Sequence, residues 1–147
     1  MDRNSYIFLI ILLAGILLIG ITWWTTYSIR EQYLQDDPKL RELKEKLLPL
    51  DPTVKTIKLY KGDKSYTINK EKIYLCLKDE HNNYYSDNIL IYVLIHEIAH
   101  LLNRQDVGHT PKFHQIFEEL LDKAAKLGVY DPSVPMIQNY CNHTKDD

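Results

Sequence analysis

Apolar residues follow several distinct patterns along the chain, and each predicts a different element. From Tyr6 to Trp24 there are 19 residues without a charge, about 28 Å as a helix and close to the thickness of a hydrocarbon core. Twelve of the fifteen positions from Ile7 to Ile21 are Ile, Leu or Phe, which favours insertion by about 5 kcal/mol. Trp23, Trp24 and Tyr27 follow where an interfacial aromatic belt is expected. Leu40, Leu43 and Leu47 then recur at helical spacing behind an Asp37-Pro38 start signal. From Thr53 to Lys78 the pattern changes to short alternating runs (VKTIKLY, SYTI, KIYLCL) around a Lys61–Lys64 turn, which predicts a small antiparallel sheet. Ile89–Leu102 is apolar almost all round and predicts a core helix behind the N-cap candidates Ser86 and Asp87. A second helix starts at Thr110-Pro111 with a stripe of Phe113, Phe117, Leu120, Leu121, Ala124 and Leu127, and stops at Gly128.

These patterns divide the chain into an N-terminal transmembrane anchor over 1–29 and a juxtamembrane connector with an amphipathic helix over 30–52. An α+β domain over 53–135 and an irregular tail over 136–147 complete it. A cleaved signal peptide fits poorly, because the start is MDRN and bulky tryptophans stand where small residues are needed. Residues 6–24 are therefore expected to enter a lipid bilayer. Arg30, Lys39, Arg41, Lys44 and Lys46 follow the span, whereas only Arg3 precedes it, so the positive-inside rule places the C-terminal domain in the cytoplasm.

Composition narrows the function classes. The 147 residues carry 18 Lys+Arg against 20 Asp+Glu, and this balance has no footprint for general nucleic-acid binding. Two cysteines, Cys76 and Cys141, allow at most one bridge, and Cys76 in a strand reads by default as a small buried hydrophobe. Asn142-His143-Thr144 matches a glycosylation sequon, which matters only for an extracellular domain.

The chemistry lies in His96-Glu97-Ile98-Ala99-His100, an H-E-x-x-H pattern inside the core helix. Histidines four apart share a helix face and can reach one metal ion. Glu97 is placed to take a proton from a metal-activated water. Three ionisable groups in so apolar a helix also need partners, which a metal would supply. Zn2+ suits these ligands. A third ligand is required, and the candidates are His109, His114 and Glu118 or Glu119; the glutamates read more simply as a solvated face. His81 and His143 read as surface residues, and Tyr130, Tyr140 and His114 are candidates for stabilising an oxyanion.

HEIAH followed by DVGHTPKFHQIF resembles the small zinc metallopeptidases of the SprT/Spartan and WLM groups. More loosely, IYLCL, the HExxH helix, GHTPKF, GVYDP and a closing YC resemble small WLM-like proteins of large DNA viruses. The resemblance covers roughly residues 50–141, with its specificity in residues 96–113. It implies a minimal zincin-like domain binding one zinc ion through His96, His100 and His109, with Glu97 catalytic and a protein or peptide as substrate. It also allows a viral or intracellular membrane as the site of the anchor. The rival expectation is an inactive, zinc-stapled membrane scaffold or assembly protein. Glu97 argues against it, because a structural site needs no carboxylate beside its first histidine.

Overall fold

The computed structural model describes residues 2–141, which form two units. The sequon residues Asn142 and Thr144, and His143 between them, lie outside the described residues. The first unit is the body of helix α1, Arg3–Gln35. Asp2 starts it by accepting hydrogen bonds from the Ser5 amide and hydroxyl. None of its residues is buried, and its Ile, Leu and Phe side chains stand exposed all round. It is the one helix among the described residues long and apolar enough to cross a membrane. Its threonines do not break that character, because Thr22, Thr25 and Thr26 donate to backbone carbonyls three or four residues back.

The second unit begins at Leu34. Asp37 accepts from the Lys39 amide and Pro38 opens α2, Pro38–Leu47. Leu40, Leu43 and Leu47 enter the core, so α2 packs as a wall of the unit. The expected strand at Thr53 is instead a 3₁₀ turn, Pro52–Lys55, with the Asp51 carboxylate capping the Thr53 amide. Asp51-Pro52 repeats the start signal of Asp37-Pro38, and that local capping overrides the β character of Val54.

The sheet holds β1 (Lys58–Lys61), β2 (Tyr66–Ile68) and β3 (Lys72–Leu75) in the order β1-β3-β2. It is mixed and not antiparallel: β3 pairs antiparallel with β2 and parallel with β1. The reversal that pairs neighbouring strands is Ile68–Glu71, where Asn69 and Lys70 have φ of 51° and 53° and Glu71 N donates to Ile68 O. Two successive left-handed residues make a type I′ turn, whose twist matches a hairpin. The Gly62 region carries the chain past that position, and Gly62 N donates to Leu75 O. Leu59, Ile73 and Leu75 form the inward face of the sheet.

Helix α3 (Asp87–Leu102) lies against this face, with α4 (Pro111–Lys126) on another side. Ile89, Leu90, Ile91, Leu94, Ile95, Ile98 and Leu101 of α3 are all buried. Thr110 caps α4 by accepting from the Phe113 amide, and Gly128 beyond it has φ 72°. Leu121 is half-buried and Leu127 is exposed, so the buried stripe of α4 is narrower than its apolar pattern. Lys39 and Lys46 of α2 pair with both Glu42 and Asp87, joining α2 to the first turn of α3. The Lys46 hydrogen bond, followed by that of Lys39, holds the Asp87 carboxyl down to about 2.

Cys76 and Cys141 form a disulfide, so Cys76 is a crosslink and not an isolated small hydrophobe. The bridge ties the irregular C-terminal segment to the end of β3. Beside it Tyr140 Oη donates to Cys76 O at 2.5 Å, and the Tyr85 hydroxyl accepts from Cys141 N. The bridge spans 65 residues, which corresponds to about 4 kcal/mol of loop entropy removed from the unfolded chain. Cys141→Ser is therefore expected to lower stability by about 2–4 kcal/mol. Denaturant unfolding of the chain with and without reductant checks this, since reductant should destabilise the parent alone.

Candidate metal centre

His96 and His100 stand one turn apart on α3, and the loop from Asn103 to Thr110 brings His109 to them. Two features shape that loop. Gly108 takes φ 87°, which a side chain would resist. Asn103, almost wholly buried, donates from Nδ2 to Thr110 Oγ1, closing the loop between α3 and α4. The Nε2 atoms of the three histidines lie 3.2 Å (His96–His100), 3.2 Å (His100–His109) and 3.1 Å (His96–His109) apart. Among the described residues they form the group whose ligand atoms could hold one metal ion.

The spacing passes a simple chemical test. Imidazole nitrogens bound at the usual zinc distance around a tetrahedral ion lie about 3.3–3.4 Å from one another. Three such ligands with further coordination left open are the protein's share of a catalytic site, whereas structural sites are closed by a fourth. Phe113 forms the floor of the group, its ring centroid 4.2 Å from His100, 4.9 Å from His109 and 5.0 Å from His96. Phe117 supports His96 from the next turn of α4, at 5.2 Å. These contacts fix the rings while His109 stays open to solvent.

Burial favours the neutral form of the two helix ligands, His96 and His100. Burial, followed by the neighbouring His100 and His109, pushes the His96 imidazole down to about 4. Burial and His109 also lower His100. A neutral imidazole has a lone pair for a metal, so both shifts favour coordination near neutral pH.

Glu97, only 7% exposed, points to the sheet side of the same turn. Thr67 Oγ1 of β2 donates to its Oε2 at 2.7 Å and also lies 3.3 Å from its backbone oxygen. Burial raises the Glu97 carboxyl, and the Thr67 bond partly offsets the rise. The expectations for this site did not include Thr67. Its signal was a polar residue on the inward face of a strand, in the row with Leu59 and Ile73.

Other candidates stand apart. His114 is exposed, its ring 6.3 Å from that of His109. Glu118 and Glu119 are exposed on α4, with Glu119 accepting from Gln115. Tyr140 lies within electrostatic reach of Glu97, but its hydroxyl is bound to Cys76 O and Ser65 Oγ. The Tyr130 ring packs on Tyr92, whose other neighbour is Phe117. His81 is on the surface beside Glu80.

Cobalt(II) titration of the full chain, followed by visible absorbance, is expected to saturate at about one equivalent. Alanine at His96, His100 or His109 should weaken binding by at least about 100-fold, whereas Glu97→Gln and His114→Ala should retain it. Equal losses in His114→Ala and His109→Ala would overturn the assignment of the third ligand.

Comparison with known proteins yields viral relatives. The chain is 54% identical over 88 residues to uncharacterized protein 136R of Invertebrate iridescent virus 6, a match covering 58% of this chain and 49% of that one. It is 42% identical over 100 residues to uncharacterized protein 042R of Invertebrate iridescent virus 3, covering 64% of this chain and 62% of that one. The matches thus span from about half to just under two thirds of these relatives' lengths. No family model matches the chain, and no solved structure matches it.

Proposed function

We propose that this chain is a membrane-anchored zinc peptidase, with His96, His100 and His109 holding the ion and Glu97 serving as general base. The observation that carries the reading is the triangle of imidazole nitrogens, two of them on the helix that also positions a buried carboxylate whose Oε2 is held by Thr67. Bound zinc would supply Lewis acidity, lowering the pKa of a water and polarising a carbonyl. The protein supplies the rest. Thr67 holds Oε2 of Glu97, leaving Oε1 to accept the proton of the attacking water and to pass it to the leaving amine. A peptide is expected to bind as an added strand along β2, an edge of the sheet, since Thr67 at its centre touches Glu97.

Two opposed features bear on the orientation across the membrane. Lys39, Lys44 and Lys46, which weigh in the positive-inside count, are engaged within the second unit. Lys39 and Lys46 pair with Glu42 and Asp87, and Lys44 donates to the carbonyls of Lys55 and Ile57. A disulfide persists in oxidising compartments. We therefore place the second unit on the oxidising face, opposite to the cytoplasmic side the charge count favoured.

Two measurements test these proposals. The full chain in detergent should cleave casein when zinc-loaded. Glu97→Gln should keep the zinc and lose about 10²–10⁴-fold in rate, and Thr67→Val should lose about 10-fold with zinc retained. Zinc binding by parent and Glu97→Gln alike, with cleavage by neither of them across a panel of unfolded proteins, would favour the scaffold. For orientation, the second unit should resist added protease in sealed microsomes and be cut once detergent opens them. Digestion in the sealed vesicles would return it to the cytoplasm.

A further inference from the structure

A second concave site lies at the end of the sheet where β1 and β3 begin. It is a cavity of about 230 Å³ lined by the 3₁₀ turn, the start of β1, the β2–β3 turn and the end of α3. Its charged lining is Lys58, Lys70 and Arg104 against a single carboxylate, Glu71. None of the three cations is in an ion pair with a described residue. Lys39 and Lys46, by contrast, are paired with Glu42 and Asp87. The surplus here is therefore local and uncompensated.

We propose that this cavity binds a phosphate group, held by Lys58, Lys70 and Arg104. Charge is the first argument. Three cations less one carboxylate leave two positive charges, and a phosphate monoester carries about −1.5 to −2 at neutral pH. Geometry is the second. A tetrahedral monoester presents three terminal oxygens, one for each cationic group, whereas a carboxylate presents two. Lys70 is pre-positioned, because the left-handed turn projects it from the sheet and its Nζ donates to Asn103 O at 3.0 Å. That bond uses one of its three ammonium protons and leaves two for a ligand. Thr53 and Thr56 add hydroxyls to the lining, and Ile57 and Leu101 give an apolar wall that strengthens each charge contact. Lys58 and Arg104 stand exposed, free to close on an incoming anion. None of these residues belongs to the metal centre, so this proposal stands or falls independently of the peptidase reading.

The phosphate could be free or the headgroup of a phospholipid, a natural source for a chain with a span-length apolar helix. The full chain in neutral detergent micelles is titrated with inorganic phosphate and, separately, with dihexanoyl phosphatidic acid, following backbone amide shifts by NMR. Saturable shifts at Thr56, Glu71 and Arg104 are expected. They should weaken at least about tenfold in Lys58→Gln/Arg104→Gln and more in Lys58→Glu/Arg104→Glu. Lys126→Glu on α4 should leave them unchanged. Tighter binding of the lipid identifies a headgroup, and equal affinity identifies free phosphate as sufficient. Non-saturating shifts in the parent, or an equal loss in Lys126→Glu, overturn the proposal.

Discussion

The second unit is organised around one constraint: α3 must be buried on nearly every side while carrying His96, Glu97 and His100 in its last turns. An ionisable group buried without a partner costs several kcal/mol, so each needs a designated neighbour. Glu97 obtains Thr67 from β2. His96 and His100 obtain His109 from the following loop and the face of Phe113 from α4. The elements contributing these partners are also those that cover the apolar faces of α3. The sheet and α4 therefore seal the core and build the site in one arrangement.

Coverage of α3 also explains why the unit is larger than its motif. Leu40, Leu43 and Leu47 close a side that the small sheet leaves open, and the Lys39–Glu42–Lys46–Asp87 cluster fixes their helix to the start of α3. At the other extreme of the chain, the segment before Cys141 has no regular structure and could not hold its place by backbone pairing. It is secured by the disulfide and by a closed set of hydrogen bonds. Cys76 N donates to Ser65, Ser65 bonds Tyr140, and Tyr140 returns to Cys76 O. With every polar atom of that set engaged, Tyr140 serves as an anchor for the tail.

Much of this was legible in the chain, because the strongest signals are local. The 19-residue uncharged run, the Asp37-Pro38 and Thr110-Pro111 caps and the apolar α3 each depend on neighbours in sequence, and the corresponding helices are present. The grouping of His96, His100 and His109 was also readable, from helical periodicity and a family resemblance. What failed was non-local or in competition. Alternation marks a strand but does not say which neighbour it pairs with, so the insertion of β3 between β1 and β2 was missed. The 3₁₀ turn at Pro52 sits in a stretch of β-like composition, where the Asp51 cap decides the local structure instead. Pairing of Cys76 with Cys141, across 65 residues, has no local signature at all. Thr67 was invisible for the same reason, since its role exists only once β2 meets α3.

The Thr67–Glu97 contact also bears on how stability depends on pH. Burial raises the Glu97 carboxyl above its ordinary 4.5, and the hydrogen bond from Thr67 recovers only part of that rise. A folded-state pKa above the unfolded one means that the folded chain binds the extra proton. Stability contributed by this group is therefore present at low pH and is lost as pH rises through the window between 4.5 and the raised value. An apolar residue at position 97 would remove that pH dependence and leave the Thr67 hydroxyl without its carboxylate partner. The place of the Glu97 carboxylate on the turn that carries His96 and His100, with Oε2 held by Thr67, is the feature on which the proposed peptidase reading rests.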